Sequence, residues 1–149
     1  QLVIAGSGGD QGGLAERLGR LGLAPFVRPL GYVSDALLES LYRGAWAFVY
    51  PSLYEGFGLP PLEAMARGVP TIVSRASSLP EVVGDAAELV DPKDPSDLAR
   101  CLVRLTSDGD RRALLAEKGR RRAAEFTWQR AALAHLELYR SCVAEARCA

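Results

Sequence analysis

The sequence predicts an α/β fold: a parallel sheet with helices on both faces and a helical C-terminal extension. Three observations carry that prediction. Short apolar runs of strand length recur along the first 92 residues, amphipathic stretches of helical period fall between them, and everything after DPKDPSD reads as helix. Strands that alternate with helices pair in parallel, because each crossover lays a helix over one face of the sheet.

LVIAG, Leu2 to Gly6, is an apolar run closed by glycine and reads as a buried first strand. A helix is expected from Gln11 to Leu23, where Leu14, Leu18 and Leu21 recur at helical spacing while Glu16, Arg17 and Arg20 point away; Gly12, Gly13 and Gly19 count against it. FVRPLG, from Phe26, gives a second strand. SDALLESLYRGA gives a second helix, with Leu37, Leu38, Leu41 and Tyr42 on one face and Ser34 as its N-cap. WAFVYPS is the third strand, covering at least Trp46 to Tyr50, and TIVS, from Thr71, is the fourth. Between them a helix stops at Gly68 and Pro70, glycine just past the end and proline shortly after. SLPE, Ser78 to Glu81, has capping-box spacing, which makes Glu81 a helix cap rather than a catalytic acid. AELVDP is the fifth strand. Asp94 and Pro95 then fit an N-cap and first helical position, and three helical segments follow, at about 96–107, 110–124 and 128–146. In the last, Leu136, Tyr139 and Val143 form a stripe expected to pack against a neighbour.

A chain of 149 residues suffices for one domain with a real core. Its 18 basic and 18 acidic side chains cancel, which excludes recruitment of nucleic acid or an anionic membrane by bulk charge; a phosphate ligand has to be held locally. Arginine supplies 16 of the 18 basic side chains, and RRALLAEKGRRRAAEF concentrates them with acids interleaved, so the run reads as a solvated helix face. Cys101, Cys142 and Cys148 lack metal-ligand spacing and are expected to be reduced thiols of a cytoplasmic protein. No apolar run reaches the roughly 18 residues of a membrane span. The chain opens directly in a strand without an initiator methionine, and is expected to be a piece of something longer.

In parallel sheets, ligands sit in the loops at the carboxyl ends of the strands. One such loop stands out within YPSLYEGFGLPPLEAMARGVP, residues 50–70. Pro60 and Pro61 suit the first turn of a helix, whose backbone N–H groups have no intrahelical acceptor. EGFG is then the lead-in to a helix N-terminus, where glycines let a ligand approach the backbone and the helix dipole favours an anion such as a diphosphate. Glu63 is placed in the first turn of that helix and Glu55 at the strand end of the loop, so both carboxylates face one crevice. Carboxylates accept hydrogen bonds in pairs, which suits the vicinal hydroxyls of a ribose or a hexose.

Three other readings stay open on spacing alone. In the first, Glu63 only complements the helix dipole and Glu55 is solvated. In the second, the two acids are the pair of a glycoside hydrolase, which needs them flanking a scissile bond. In the third, IAGSGGDQGG belongs to a nicotinamide-binding unit, although Gln11 stands where G-x-G-x-x-G, counted from Gly6, requires glycine, and FVRPL ends without the acid expected for an adenosine ribose.

As a set, these residues are similar to a known family. Glu55-Gly-Phe-Gly-Leu-Pro-Pro-Leu-Glu63 has the E-x7-E form. With GYVSDALLESLYRGAWAFVYPSLYEGFGLPPLEAMARGVPTIVSRASSLPEVVGDAAELVDP around it, it resembles the C-terminal, donor-binding domain of GT-B fold retaining glycosyltransferases of family 4, glycosyltransferase group 1. The likeness runs from the first strand to about Phe126 and Trp128 and is specific over residues 50–92. It implies a Rossmann-like, sugar-nucleotide-binding domain over residues 1–126 that lacks its first strand, with 127–149 as its C-terminal helix.

The resemblance further implies transfer of a hexose from a nucleoside diphosphate sugar to a glycan or lipid-linked acceptor, with retained configuration, no metal, and a cytoplasmic setting in polysaccharide biosynthesis. Glu55 corresponds to the acid that contacts the donor sugar, the catalytic position. Gly56, Phe57, Gly58 and Leu59 correspond to the loop whose N–H groups bind sugar hydroxyls and phosphate, and Glu63 to the acid that takes the ribose hydroxyls. Gly6 and the loop after it, with Tyr32 and Val33, match positions lining the nucleotide's base and phosphates. SSLPEVVGDAAELVDP looks most like mannosyltransferases that use GDP-mannose.

This sequence departs from the family pattern in two respects. The Arg and Lys that grip the diphosphate after the family domain's first strand have no counterpart, and neither does the N-terminal acceptor-binding domain with its catalytic histidine. His135 does not match that histidine and reads as structural or solvated. The chain alone is therefore expected to be inactive, with the N-terminal domain as its missing partner, no nucleic acid partner, and peripheral membrane association open to the full-length protein. A non-catalytic sugar-nucleotide-binding or structural α/β module is the alternative.

Overall fold

The computed structural model describes residues 1–6 and 13–148, with side chains through Ala144. The chain divides into two compact units, Gln1–Gly44 and Ala45–Ala149. Each has its own parallel ladder, as alternating strands and helices require.

In the first unit β1 (Leu2–Ala5) pairs in parallel with β2 (Val27–Gly31), Leu2 opposite Val27 and Val3 opposite Arg28. Its helices are α1 (Leu14–Arg20) and α2 (Asp35–Gly44). Of the helix expected over Gln11 to Leu23, Gln11 and Gly12 lie outside the described residues. The far end stops early: Gly22 takes φ +66, and the N–H groups of Gly22 and Leu23 turn back to the carbonyls of Gly19 and Leu18. Ser34 caps α2 as expected, its hydroxyl accepting from the Leu37 N–H at 3.4 Å. On the apolar face of α2 only Tyr42 is buried, while Leu37 is 44% exposed.

The second unit holds β3 (Phe48–Tyr50), β4 (Thr71–Ser74) and β5 (Glu88–Val90) in a parallel sheet with β4 central. Around it lie α3 (Leu59–Ala66), α4 (Leu79–Val83), α5 (Pro95–Ser107), α6 (Gly109–Ala124) and α7 (Trp128–Cys148). β3 starts two residues later than expected. Trp46 stays 66% exposed and carries the Arg112 guanidinium 4.7 Å above its ring instead of entering the ladder. β4 is buried throughout, and its successive residues go to opposite faces. Val73 joins Leu62, Met65, Leu79 and Val83 on one side; Ile72 joins Val90, Cys101, Leu105 and Leu115 on the other.

The C-terminal arginines do more than solvate a helix face. Glu88, 8% exposed in β5, accepts from Arg104 and Arg111 at 2.8 Å each, which gives a buried carboxylate the partners it needs. Arg122 donates to the backbone carbonyls of Val82 and Glu81 at 2.9 and 2.7 Å, tying α6 to α4. Asp94 caps α5 through the Ser96 N–H, as its place before Pro95 predicts. The α7 stripe differs from expectation: Leu136, Tyr139 and Val143 are 42, 61 and 52% exposed, and no described neighbour covers them. His135 is exposed beside them, with Nδ1 2.7 Å from the Ala131 carbonyl, in keeping with a structural or solvated role. Cys101 is buried and Cys142 exposed, both as free thiols; the Cys148 side chain lies outside the described residues. No described helix is long and apolar enough to cross a membrane.

Candidate functional site

β3 ends at Tyr50 and β4 at Ser74, and because the two are paired in parallel, the loops that leave them open on the same edge of the sheet. Among the described residues, loop 51–58 makes no backbone-to-backbone hydrogen bond to any other segment. Hydroxyls from the end of β4 and the loop after it hold it instead. Ser74 Oγ donates to the Ser52 carbonyl in a short bond, Ser77 Oγ accepts the Glu55 N–H at 2.9 Å, and Ser78 Oγ lies 3.1 Å from the Glu55 carbonyl and 2.8 Å from that of Phe57. A serine hydroxyl has one proton, so Ser78 shares it between the two carbonyls.

That arrangement overturns the capping box expected at Ser78 to Glu81. Ser78 stands at the N-cap position of α4 but makes no side-chain cap bond. Its backbone, at φ −74 and ψ −17, is already helical, whereas a capping side chain needs the extended N-cap conformation to reach the next turn's N–H groups.

Glu55 is half-buried at the head of the loop. The Tyr50 hydroxyl donates to its Oε1 at 2.7 Å, and Oε2 has no hydrogen bond among the described residues. Burial, first, and then the hydrogen bond and charge of Glu55 push the Tyr50 phenol up to about 12, so it stays a neutral donor at ordinary pH. Phe57 turns its ring edge-on to Phe126 at 5.8 Å, and the Arg122 guanidinium stacks 4.8 Å from the Phe126 ring.

Gly58 is buried and caps α3 at φ +115; a Cβ there would stand 2.7 Å from Leu79 Cδ2. The helix therefore begins at Leu59, with Pro60 and Pro61 as its second and third residues. Glu63 is the fifth, in the second turn and not the first as the sequence suggested, and it is exposed. Since the pull of the helix dipole fades beyond the first turn, a purely dipolar role for Glu63 loses support. The prolines carry no N–H. The N–H groups of Gly56, Phe57, Gly58 and Leu59 have no acceptor among the described residues. A row of uncommitted N–H groups beside a carboxylate with one uncommitted oxygen can take an anion and a hydroxyl side by side.

In the first unit the Gly6 N–H donates to the Gly31 carbonyl at 2.8 Å, which sets Gly6 beside Tyr32 and Val33 at the carboxyl edge of β1 and β2. Tyr32 is 82% exposed and Val33 half-buried. Residues 7–12, the loop after Gly6, lie outside the described residues.

Sequence reasoning did not assign Tyr50, Ser74, Ser77 or Ser78 to the site. Two serines following an apolar strand, in the loop next to EGFG, were the available signal; helix-cap spacing claimed one of them.

The sequence family described as glycosyl transferases group 1 matches residues 1–122, a span that contains every one of these groups. O-antigen chain mannosyltransferase B of Escherichia coli is 43% identical over 115 residues, covering 77% of this chain and 30% of that protein. Sucrose-phosphate synthase of Thermosynechococcus elongatus superposes with a TM-score of 0.81 at 33% identity, over 97% of this chain and 39% of that one. HepE of Anabaena, solved in complex with UDP-glucose, superposes with a TM-score of 0.75 at 25% identity, over 83% of this chain and 35% of that one. The chain thus spans well under half the length of the proteins it matches. Parallel sheets with helices on both faces, and a match that runs from β1 into α6, lead to one conclusion: the chain belongs to the glycosyl transferases group 1 family, with the α/β architecture of GT-B glycosyltransferases.

Proposed function

We propose that this chain holds a nucleoside diphosphate sugar and supplies the donor side of a retaining transfer of a hexose, mannose in our reading, to a glycan or lipid-linked acceptor. The observation that carries the reading is the row of four N–H groups from Gly56 to Leu59, without acceptors among the described residues, beside Glu55 Oε2. Such donors suit a diphosphate, and they stabilise the negative charge that grows as it departs. Glu55 is then placed to accept a hydroxyl of the donor sugar and Glu63 those of the ribose. In this reading no metal is required, since hydrogen-bond donors meet the charge.

Gly6, Tyr32 and Val33 are assigned to the nucleotide on the first unit. The acceptor site and the remaining catalytic groups are assigned to a further N-terminal domain, so the chain alone is expected to be inactive, and the setting is taken as cytoplasmic. Support for mannose comes from the mannosyltransferase relative, and support for a nucleotide sugar from the neighbour solved with UDP-glucose. Because these leave the base undecided, GDP-mannose and UDP-glucose are both probes.

Calorimetric titration of the chain with both sugar nucleotides, GDP and UDP is the test, followed by transfer assays of Glu55→Ala in the full-length protein. Binding of one donor, with transfer lowered on the order of a hundredfold or more at unchanged melting temperature in the variant, supports the reading. A variant that still transfers at the normal rate removes Glu55 from the chemistry and leaves a binding module.

A further inference from the structure

Loop 51–58 carries the proposed donor contacts, yet Gly56 and Gly58 lend its backbone no stiffness of their own. Its shape has to come from elsewhere. Along the second unit, hydroxyls at the end of β4 and in the loop after it meet the backbone of loop 51–58 in order: Ser74 at Ser52, Ser77 at the Glu55 N–H, Ser78 at the carbonyls of Glu55 and Phe57. These contacts have two consequences. They use up the N–H of Glu55 and three of the segment's carbonyls, those of Ser52, Glu55 and Phe57, and they leave the N–H groups from Gly56 onward uncommitted among the described residues. Ser77 does this from φ +47, the only positive φ outside glycine among the described residues. A serine held in the left-handed region, where glycine is favoured, keeps its hydroxyl at a backbone cost, and strain of that kind persists where a site needs the group.

We propose that the hydroxyls of Ser77 and Ser78 are positioning groups that set the backbone of Glu55, Gly56 and Phe57 for the sugar portion of the bound donor. The inference rests on the donor-binding reading of the loop. Ser77 fixes the peptide on the N-terminal side of Glu55 and Ser78 the peptide on its C-terminal side, so the Glu55 side chain springs from a backbone held at both ends. Glu63 lies beyond the held segment, in the second turn of α3. The serine pair therefore acts on the part of the ligand next to Glu55 and leaves the ribose contact alone.

The test compares Ser78→Ala, Ser78→Thr and Ser77→Gly in the full-length protein with a sugar nucleotide (GDP-mannose, UDP-glucose) and with the matching nucleoside diphosphate. Ser77→Gly removes the hydroxyl at a position whose backbone glycine prefers, which guards against a variant that merely fails to fold. The expected result is roughly a tenfold or greater loss in kcat and in sugar-nucleotide affinity for Ser78→Ala and Ser77→Gly, with affinity for the nucleoside diphosphate changed less than about threefold. Ser78→Thr restores both. Equal weakening of both ligands, or unchanged transfer in Ser77→Gly, overturns the proposal while leaving the donor reading intact. If the unmodified protein binds no nucleotide at all, the donor reading falls and this inference falls with it.

Discussion

The two units carry the same kind of feature, glycine in the loop that leaves a parallel strand, and treat it differently. In the first, Gly6 is joined to Gly31 by a backbone hydrogen bond, on strands whose Leu2 and Val3 are 52 and 38% exposed. In the second, the loop after β3 is fastened by hydroxyls from the adjoining loop, and Met65 and Leu62 of the helix behind it are buried. Both edges have the topology that places ligands at strand ends. Among the described residues, only the second has its polar groups fixed by other side chains before any ligand arrives. A glycine-rich strand-to-helix turn is thus permission for a ligand to approach; preorganisation comes from the neighbouring loop and the core beneath.

The sharpest way to break this contrast is through the core. Met65→Ala, at a site with no exposure, is expected to cost about 2–5 kcal/mol, while Leu2→Ala stays within about 1 kcal/mol. Urea midpoints of the two variants read the difference, and equal shifts would remove the distinction between the units. Next comes glycine itself. Gly58→Ala must fit a methyl 2.7 Å from Leu79 at φ +115 and is expected to cost about 1–3 kcal/mol and to disturb the loop, whereas Gly6→Ala meets no atom of the described residues within 4 Å and carries the backbone strain, about 1 kcal/mol. Thermal unfolding of both variants compares them.

The smallest effect is electrostatic. Tyr50 is raised from 10.0 to about 12 in the folded protein, so its contribution to stability is fully present below pH 10 and is lost as pH rises through about 12. Glu55→Gln removes the carboxylate's share but not the burial, so the phenol should titrate between those limits when followed by carbon NMR of the labelled ring. A Tyr50 that titrates unchanged in Glu55→Gln would sever the link between the two side chains.

Much of this was legible in the residues. Period-two and period-3.6 patterns located the strands and helices, because burial on a sheet or a helix face repeats at the spacing of the backbone. Gly68, Asp94 and Ser34 marked ends for the same local reason: each serves backbone groups within a few residues of itself. EGFGLPPLE marked the candidate site, since glycines before a helix N-terminus admit a ligand and paired acids accept hydroxyls. The misses had a common cause. Ser78 was assigned to its own helix because cap spacing is local, but its hydroxyl went 21 residues away to Phe57. Glu88 and its two arginines are a buried group and its partners, invisible to a charge count that sees only a balanced run.

The sequence by itself determined the α/β alternation, the family, and the loop that carries Glu55 and Glu63, because those follow from residue types and short spacings. Only the tertiary structure decided that α3 starts at Leu59, that Glu55 is held by Tyr50 on its side chain and by two serines on its backbone, and that the α7 stripe is uncovered among the described residues. The serine contacts depend on which loops the pairing of β3 with β4 brings side by side, and strand pairing brings together residues that no local pattern connects.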